Sequence, residues 1–505
     1  MGAEFSQIFE RLERWAERFP ERTAHRVASP GRTPTLQLTY CELLARTRAV
    51  AAFVRRQLPP DGSPVVVLGH KEPEMLAGFL GVLGGGHPYI PADDSLPAHR
   101  LHEVERIAGV SLVLTPEAIA ALPPAEADFG SLRAETPVYT IFTSGSTGEP
   151  KGVVITVACL NAFLGWMHGE HRFVEGAETF LNQAPFSFDL SVMDLYLSLT
   201  TGGTLYSLTR REIADFIGLF RALSEADPSV WVSTPSFAHL CLAERTFDAA
   251  RLPAMRRFLF CGEALLPETA ARLLDRFPIA DVWNTYGPTE ATVATTSVQI
   301  TREVLARGGP LPIGHAMPGT EVFLQHDDGT RLPDGERGEI IIAGPNVSPG
   351  YLGRPDLTAR AFFEHAGRRA YRTGDRGTRV DGLLYFDGRQ DSQVKLHGYR
   401  IELADIEENF RALPDVHECA VVPVSRGGAV QYLVAFVVPD GPCPDAPGAV
   451  TIATDHYRAE LAGRLPAYML PRRIYLRPSL PLTPNGKADR RRLAETAANG
   501  GQLPP

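Results

Sequence analysis

The stretch that most constrains the fold is residues 139–153, which read YTIFTSGSTGEPKGV. An apolar, β-prone run (Val138–Phe142) ends abruptly in a loop of hydroxyl residues and glycines, and a second β-prone run (Val153–Thr156) follows. This pattern predicts two strands joined by a loop. Glycines let the backbone approach a ligand closely, and backbone N–H groups, hydroxyls and a lysine are the donors that a polyphosphate needs. The stretch therefore predicts a polyphosphate-binding loop.

The donors of this loop come from hydroxyl residues, glycines and one lysine: Thr143, Ser144, Gly145, Ser146, Thr147, Gly148 and Lys151. The GxxxxGK[ST] spacing of a Walker A loop is absent, so this is a phosphate loop of another type. Composition alone leaves open a flexible Ser/Gly surface loop. The lysine and the two flanking strands favour the phosphate interpretation.

Lysine is rare in this chain. Of its 50 basic residues only four are lysines, namely Lys71, Lys151, Lys395 and Lys487, and the rest are arginines. Where a lysine persists against this bias, a compact ammonium is favoured over a planar guanidinium. The alternative is that these four lysines remain by chance.

The bulk composition excludes several classes of protein. A chain of 505 residues with 44% hydrophobic and 22% charged residues is typical of a globular protein with several domains. A net charge of −9 argues against a general nucleic-acid binder. Six scattered cysteines without a CxxC pair argue against a zinc ribbon and favour a reducing compartment. Since no signal peptide or membrane span is predicted, we expect a cytoplasmic protein without membrane or nucleic-acid partners.

Strands that alternate with helices predict an α/β fold with a doubly wound sheet in the first part of the chain. Residues 1–60 are predicted to be helical, and Pro64–Leu68 is predicted to be a buried strand. Further strands are predicted at Thr204–Leu208, Val230–Val232, Phe258–Cys261 and Asp281–Asn284. Several of these strands end in small or polar residues, as strands do where an open α/β sheet binds ligands.

The sequence changes character from about Gly319, where strand patterns joined by Asp-Gly turns predict a β-rich subdomain with a hairpin at Asp381-Gly382. The pattern breaks near residue 390, and the rest of the chain predicts a small α+β unit. We therefore expect an N-terminal core at residues 1–388, a hinge at residues 389–392 and a mobile C-terminal domain at residues 393–505. In this last part a group of arginines could contact an acidic partner, or could simply form a solvated face, which is the commoner outcome for a charge run: Arg472, Arg473, Arg477, Arg490, Arg491 and Arg492.

A single carboxylate, Asp189, lies among apolar residues in the segment FSFDLSVMDLY. A carboxylate in apolar surroundings needs a partner or a ligand. The alternative is an N-cap for a helix that begins near Ser191.

Seven motifs, in order, resemble those of the adenylate-forming superfamily: YTIFTSGSTGEPKGV, FSFDLSVMDLY, NTYGPTEAT, GEIIIAGPNVSPGYL, YRTGD, GRQDSQVKLHGYRIELADIE and PNGKADRRRL. Within that superfamily the chain resembles the stand-alone D-alanine–carrier protein ligases over nearly its whole length. The resemblance implies an enzyme that uses ATP and Mg²⁺ to activate a small amino acid as aminoacyl-AMP. It also implies that a phosphopantetheine thiol then accepts the aminoacyl group. Since no carrier-type serine motif follows Lys487, the carrier is expected to be a separate protein.

The resemblance also implies which residues bind the nucleotide. Asn284 and Tyr286 would contact the adenine, Asp375 the ribose hydroxyls and Arg389 the ribose and phosphate. Glu290 would be a ligand for Mg²⁺, a cation that prefers oxygen donors. The contiguous nucleotide-binding residues are Asn284, Thr285, Tyr286, Gly287, Pro288 and Thr289.

For the amino acid, the resemblance implies that Asp189 pairs with the α-ammonium and that Cys261 and Val293 line a small side-chain pocket. Lys487 would bridge the substrate carboxylate and the α-phosphate, and Asp391 would be the hinge between the two half-reactions. The resemblance favours D-alanine. Two alternatives stay open: L-alanine or another small amino acid loaded onto a carrier in natural-product biosynthesis, and, more remotely, an acyl-CoA synthetase.

Overall fold

The computed structural model describes residues 5–28, 36–145, 149–390, 393–396, 398–426, 429–441, 451–452, 454–483 and 488–499. The α-helices, in chain order, are α1 (Ile8–Arg18), α2 (Tyr40–Gln57), α3 (Pro73–Gly84), α4 (Ala98–Ala108), α5 (Pro116–Ala120), α6 (Val157–His171), α7 (Leu190–Thr201), α8 (Arg210–Ala214), α9 (Phe216–Ala226), α10 (Pro235–Cys241), α11 (Pro267–Arg276), α12 (Arg302–Ala306), α13 (Pro355–Ala361), α14 (Leu403–Arg411), α15 (Thr454–Ala462) and α16 (Arg490–Ala498). Short 3-10 helices occur at Phe5–Gln7, Thr289–Ala291 and Ala467–Met469.

The strands, in chain order, are β1 (Thr23–Val27), β2 (Gln37–Thr39), β3 (Val65–Gly69), β4 (Tyr89–Asp93), β5 (Val113–Leu114), β6 (Pro137–Thr143), β7 (Lys151–Thr156), β8 (Thr179–Asn182), β9 (Thr204–Ser207), β10 (Val230–Ser233), β11 (Arg257–Phe260), β12 (Asp281–Tyr286), β13 (Thr296–Gln299), β14 (His315–Ala316), β15 (Glu321–Gln325), β16 (Arg337–Ala343), β17 (Gly350–Tyr351), β18 (Phe362–His365), β19 (Arg368–Val380), β20 (Leu383–Arg389), β21 (Gln393–Leu396), β22 (Tyr399–Glu402), β23 (Val416–Arg426), β24 (Ala429–Pro439), β25 (Thr451–Ile452) and β26 (Arg473–Leu476).

The chain divides into two compact units. The first contains Met1–Asp94, Ile107–Ile141 and Gly152–Gln390, and the second contains Ser95–Arg106, Phe142–Lys151 and Asp391–Pro505. In the part of the chain that the structure describes, no helix combines the length and the apolar character that a membrane span needs.

The largest sheet has nine strands in the order β14-β13-β12-β11-β10-β8-β9-β1-β2. The six strands from β12 to β1 are parallel, and antiparallel strands flank them on both sides. All four residues of β10 are buried, as expected for a parallel strand that is covered on both faces. Because the strands are parallel, the carboxyl ends of β8 to β12 meet at one edge of the sheet.

A second sheet has six strands in the order β17-β7-β6-β4-β3-β5. Its strands β3, β4 and β5 are parallel, and β4 also pairs in parallel with β6. Helix α3, which connects β3 to β4, is apolar and buried along almost its whole length. The strands predicted at residues 64–68, 204–208, 230–232, 258–261 and 281–284 are confirmed as β3, β9, β10, β11 and β12, with small shifts at their ends. The predicted α/β fold class is confirmed.

The β-rich subdomain is a five-stranded antiparallel sheet built on β15, β16, β18, β19 and β20. The predicted hairpin is the β19–β20 pair, and its turn residues Asp381 and Gly382 have φ angles of 50° and 76°. Positive φ at both central residues is the signature of a type I′ turn, which Asp-Gly favours. The hairpin prediction is therefore confirmed.

The expectation that residues 1–60 are helical is correct only in part. Helix α2 begins at a capping box, in which Thr39 Oγ1 accepts from Glu42 N at 3.2 Å and Glu42 Oε2 accepts from Thr39 N at 2.9 Å. However, β1 and β2 lie between α1 and α2. β1 is short and alternates poorly, and its strand conformation comes from pairing with β9, which is distant in sequence.

In the second unit the C-terminal residues form a β21–β22 hairpin and a four-stranded sheet in the order β23-β24-β26-β25. Helix α14 buries Ile406 and Phe410 in the same apolar cluster as Val421 of β23 and Ala435 of β24. This C-terminal sheet therefore has its own hydrophobic core.

Candidate active site

Asp189 lies at the carboxyl edge of the nine-stranded sheet, in the connection from β8 to α7. It occupies the N-cap position of α7, yet its φ and ψ angles of −61° and −27° are already helical, and its side chain makes no capping hydrogen bond. The capping interpretation therefore does not account for this carboxylate. Asp189 itself is half-buried, and the nearby residues Phe186 and Leu190 are buried.

The negative charge of Asp189 acts on Tyr139, the strand residue four positions before Thr143 of the predicted phosphate loop. Burial raises the pKa of the Tyr139 phenol well above its usual value, and the Asp189 charge raises it further. The hydroxyl of Tyr139 is buried and has no hydrogen-bond partner within the described part of the chain. A carboxylate in this setting suits a cationic ligand, because a positive charge would compensate for its loss of water.

Cys261 and Val293, the two predicted pocket residues, contact each other. Cys261 directly follows β11, and its Sγ donates to the backbone oxygen of Val293 at 3.5 Å. Both side chains are buried. Val293 has a φ angle of 67°, which is uncommon for a β-branched residue and costs conformational energy. The preceding Thr292 is also in the left-handed region, at 56°, and its Oγ1 donates to the backbone oxygen of Asn346 at 2.7 Å.

Tyr286, Asp375 and Arg389 form one hydrogen-bonded group. The Tyr286 hydroxyl donates to Asp375 Oδ2, and the Arg389 guanidinium donates to Asp375 Oδ1. Asp375 lies opposite Arg389 in the β19–β20 pair and is 2% exposed. Burial, and then the charge of Asp375, raise the pKa of Tyr286 well above its usual value, so the hydroxyl keeps its proton. Each carboxylate oxygen retains a second acceptor position, so Asp375 can still accept from two ribose hydroxyls.

The remaining residues of the NTYGPTE motif have different local roles. Asn284 donates from Nδ2 to the Pro312 oxygen at 2.7 Å, and Thr285 donates from Oγ1 to the Phe260 oxygen at 2.8 Å. These side chains therefore hold β12 in place, while Asn284 keeps its amide oxygen and a second N–H as potential adenine contacts. A Cβ on Gly287 would lie 2.7 Å from the Cα of Ala294, so only glycine fits there.

Pro288 precedes the short 3-10 helix that carries Thr289 and Glu290. Glu290 is fully buried, and its Oε1 accepts from the Tyr351 hydroxyl at 2.8 Å. Tyr351 lies inside a motif that the sequence analysis quoted, but the pattern assigned it no role. Its contact with Glu290 joins two motifs that are 61 residues apart. A single buried carboxylate fits Mg²⁺, because this ion is usually held by one or two carboxylates together with substrate phosphates.

The predicted phosphate loop joins β6, which ends at Thr143, to β7, which begins at Lys151. Within the second compact unit, Ser144 Oγ donates to the Arg400 oxygen at 2.9 Å and accepts from Glu402 N at 3.1 Å. A Cβ on Gly145 would lie 2.0 Å from the Glu149 oxygen, so the close turn requires glycine there.

The other predicted site residues lie outside the described residues: Ser146, Thr147, Gly148, Asp391 and Lys487. The predicted loop between two strands is confirmed at its described ends, and its phosphate role stays a prediction.

Comparison with known proteins identifies the family of this chain. The AMP-binding enzyme family matches residues 12–132 and 125–352, and the AMP-binding enzyme C-terminal domain matches residues 405–487. The chain belongs to the AMP-binding enzyme family. As a member of this family of ATP-using, adenylate-forming enzymes, it is a ligase, which confirms the predicted superfamily and reaction type.

This AMP-binding enzyme is similar over nearly its whole length to curated relatives. It is 44% identical over 507 residues to the D-alanine--D-alanyl carrier protein ligase of Bacillus cereus, covering 96% of this chain and 99% of the relative. The D-alanine--D-alanyl carrier protein ligase of Bacillus anthracis is also 44% identical over 506 residues, with the same coverage.

Solved structures share the fold of this AMP-binding enzyme. The Vibrio cholerae adenylation domain AlmE in complex with glycyl-adenosine-5'-phosphate superposes with a TM-score of 0.83 at 23% identity, over 98% of both chains. An NRPS protein that contains adenylation and PCP domains, bound to a vinylsulfonamide inhibitor, superposes with a TM-score of 0.79 at 27% identity. That comparison covers 98% of this chain and 88% of the other.

Proposed function

We propose that this enzyme activates D-alanine with ATP and Mg²⁺ and transfers it to the phosphopantetheine thiol of a separate carrier protein. The observation that carries the proposal is the match to D-alanine--D-alanyl carrier protein ligases, which spans 96% of this chain and 99% of the relative. The match covers nearly the whole chain, and the match to the AMP-binding enzyme C-terminal domain extends to residue 487.

In the first half-reaction, a carboxylate oxygen of the amino acid attacks the α-phosphorus of ATP. A new P–O bond forms, the bond to the β-phosphate oxygen breaks, and pyrophosphate leaves with the electron pair. No covalent enzyme intermediate is needed, so positioning and charge stabilisation supply the rate. Lys487 stabilises the charge between the carboxylate and the α-phosphate. Asp375 and Arg389 orient the ribose.

The phosphate loop binds the β- and γ-phosphates in this proposal. Supporting it, Thr143 Oγ1 is buried and has no hydrogen-bond partner among the described residues. A buried hydroxyl in this situation is costly unless a ligand accepts its proton. Mg²⁺, when bound at Glu290, neutralises phosphate charge.

In the second half-reaction, the carrier thiolate attacks the carbonyl carbon of the aminoacyl-adenylate. A C–S bond forms, the C–O bond to AMP breaks, and AMP leaves as the anion, while the thiol proton passes to solvent. We assign Lys395 and Gly398 to this step and Asp391 to the hinge, on the resemblance of their motif. The five cysteines that the structure describes as free support a reducing, cytoplasmic location for this chemistry.

Amino-acid-dependent exchange of pyrophosphate into ATP tests the proposal. The assay is run with D-alanine, L-alanine, glycine, serine and a β-amino acid, followed by loading of a phosphopantetheinylated carrier protein. We expect D-alanine to give the highest kcat/KM. A preference for L-alanine would instead indicate a natural-product pathway. Exchange that depends on a carboxylic acid without an amino group would indicate an acyl-CoA synthetase, and absence of exchange with every acid would contradict the proposal.

The pocket formed by Cys261 and Val293 is expected to admit a methyl side chain and little more. Overfilling a tight pocket costs about 1–3 kcal/mol, so leucine and phenylalanine are activated poorly. One methylene changes kcat/KM by roughly tenfold or more. Wild-type enzyme therefore prefers alanine to 2-aminobutyrate by that factor, and Cys261→Ala reduces the preference. Competition between the two amino acids in the exchange assay measures it.

A second buried cysteine provides a matched control. Cys159 is 1% exposed, and its Sγ also donates to a backbone oxygen, that of Val347, at 3.5 Å. Cys159→Ala therefore removes the same atoms from a similar environment on α6 but should leave the preference for alanine unchanged. If both variants relax the preference equally, the Cys261 pocket assignment is wrong.

A further inference from the structure

Lys71, one of the four lysines in this arginine-rich chain, is buried and fully hydrogen-bonded. It lies between β3 and α3 and is 1% exposed. Its Nζ donates to three backbone oxygens, those of Leu208 at 2.7 Å, Gln183 at 2.8 Å and Asn182 at 3.2 Å. An ammonium has three N–H donors, so the three carbonyls match all of them.

The three carbonyls belong to the carboxyl ends of neighbouring parallel strands. Asn182 is the last residue of β8, and Leu208 directly follows β9, the strand that pairs with β8. Gln183 is the first residue of the connection that leads to Asp189. The ammonium of Lys71 therefore hydrogen-bonds to Asn182 and Gln183, where β8 ends and the β8–α7 connection begins.

The far end of the same connection is linked to the same group. Asp194, on α7, is fully buried, and its Oδ1 accepts from Asn182 Nδ2 at 3.0 Å. Asn182 Nδ2 also donates to the Ala184 oxygen at 3.0 Å. In its ionised form Asp194 favours the protonated form of Lys71, while burial raises the pKa of Asp194 well above its usual value. Asp189 thus lies in a segment that is held on both sides by groups that converge near Lys71.

Lysine suits this position better than arginine. Three carbonyls that converge on one atom match the three rotatable N–H bonds of an ammonium, whereas a guanidinium spreads its donors over a rigid plane. This requirement accounts for a lysine at position 71 in a chain whose other basic residues are nearly all arginines.

We propose that Lys71 is a positioning residue for the amino acid substrate: it holds the β8–α7 connection so that Asp189 meets the substrate ammonium. This inference rests on the proposed function, in which Asp189 binds that ammonium. Lys71 itself does not touch the substrate.

Lys71→Met tests the inference, since methionine keeps an apolar chain of similar length but has no donor. We expect kcat/KM for alanine to fall by about 100-fold, the scale of a small misplacement at a reacting centre. Most of this loss should appear as a higher KM for alanine, while the KM for ATP stays close to the wild-type value. Lys71→Arg should not restore the KM for alanine, because of its planar geometry.

Tyr40→Phe is the matched control. The buried Tyr40 hydroxyl donates to the Gly203 oxygen at 2.7 Å, beyond the C-terminal end of α7. The variant therefore also removes a buried hydrogen bond from a side chain to the backbone near this helix, but far along the chain from Asp189. We expect a lower melting temperature and an unchanged KM for alanine.

A pH profile supplies a readout that a merely structural role would not change. Burial lowers the pKa of Lys71 to about 7. The charged or titratable groups that face it from neighbouring elements are Asp194 of α7, Asp93 of β4, Arg210 and Glu212 of α8, and His25 of β1. As pH rises through about 7, the ammonium loses its third donor and the KM for alanine should rise.

Three results would overturn the inference. The KM for alanine could be unchanged in Lys71→Met, it could rise no more than the KM for ATP, or Tyr40→Phe could raise it as much. If Lys71→Met does not fold, Lys71→Arg, which keeps the charge but not the geometry of the three donors, decides by the same comparison of the two KM values. Failure of the proposed function is distinguishable, because wild-type enzyme would then show no exchange with alanine, and the inference would fail with it.

Discussion

Replacing Asp189 with alanine is expected to abolish amino acid activation while leaving the protein folded. The substrate ammonium would then enter apolar surroundings without its counter-charge, and breaking a buried ion pair costs roughly 3–5 kcal/mol. This corresponds to a loss of roughly 10²- to 10⁴-fold in kcat/KM. The measurement is pyrophosphate exchange at varied alanine concentration. The KM for ATP should change little, because Asp189 has no assigned contact with the nucleotide.

The chain offers a sharp control in Asp215, which also occupies a helix N-cap. Unlike Asp189, it caps with its side chain, because its Oδ1 accepts from Ile217 N at 3.2 Å. Asp215→Ala should therefore lower the free energy of unfolding by about 1 kcal/mol and leave the KM for alanine unchanged. Asp189→Ala should instead lower kcat/KM for alanine and leave the free energy of unfolding nearly unchanged. Wild-type kcat/KM for alanine in Asp189→Ala would show that the substrate ammonium binds elsewhere.

Replacing Lys487 with alanine is expected to impair adenylation but not transfer. In adenylation two anions must meet, the substrate carboxylate and the α-phosphate, and a point charge between them stabilises the developing charge. Lysine concentrates its charge on one atom, which suits this task better than arginine. Loss of one such stabiliser costs about 10²- to 10³-fold in rate. Lys487 lies outside the described residues, so this prediction rests on its motif, PNGKADRRRL.

The two half-reactions can be timed separately. Pyrophosphate exchange reports adenylation, and transfer from synthetic alanyl-adenylate to the carrier thiol reports the second step. Lys395→Ala provides the reciprocal comparison, because its motif resembles the part of the family that serves thioester formation. We expect Lys487→Ala to affect only the first assay and Lys395→Ala mainly the second. Equal losses in both assays for Lys487→Ala would mean that its role is structural.

The arginine-rich C-terminal stretch is exposed only in part. The sequence left open whether the six arginines between residues 472 and 492 contact an acidic partner or form a solvated face, and four of them, Arg472, Arg473, Arg491 and Arg492, are exposed. In the structure, however, Arg477 is 7% exposed. Arg490 donates to both carboxylate oxygens of Glu407, at 2.6 and 2.9 Å, and to the Val421 oxygen. Arg490 therefore links α16 to α14 and β23, and a count of charges in the sequence cannot distinguish a solvated guanidinium from a buried or paired one.

The sequence by itself determined the features that depend on a few neighbouring residues. The strands around the phosphate loop, the Asp381-Gly382 turn and the helix that begins at Tyr40 follow from local propensity, turn chemistry and capping. The site motifs were also visible, because the residues of each motif are adjacent in the chain.

Only the tertiary structure decided which distant residues meet. Tyr286 and Asp375 are 89 residues apart, and Lys71 reaches carbonyls 111 to 137 residues away. No local pattern marks Lys71 as buried, and backbone carbonyls carry no sequence signal at all. Such contacts depend on how parallel strands assemble and where their carboxyl ends lie, and that assembly arises from burial summed over the whole sheet.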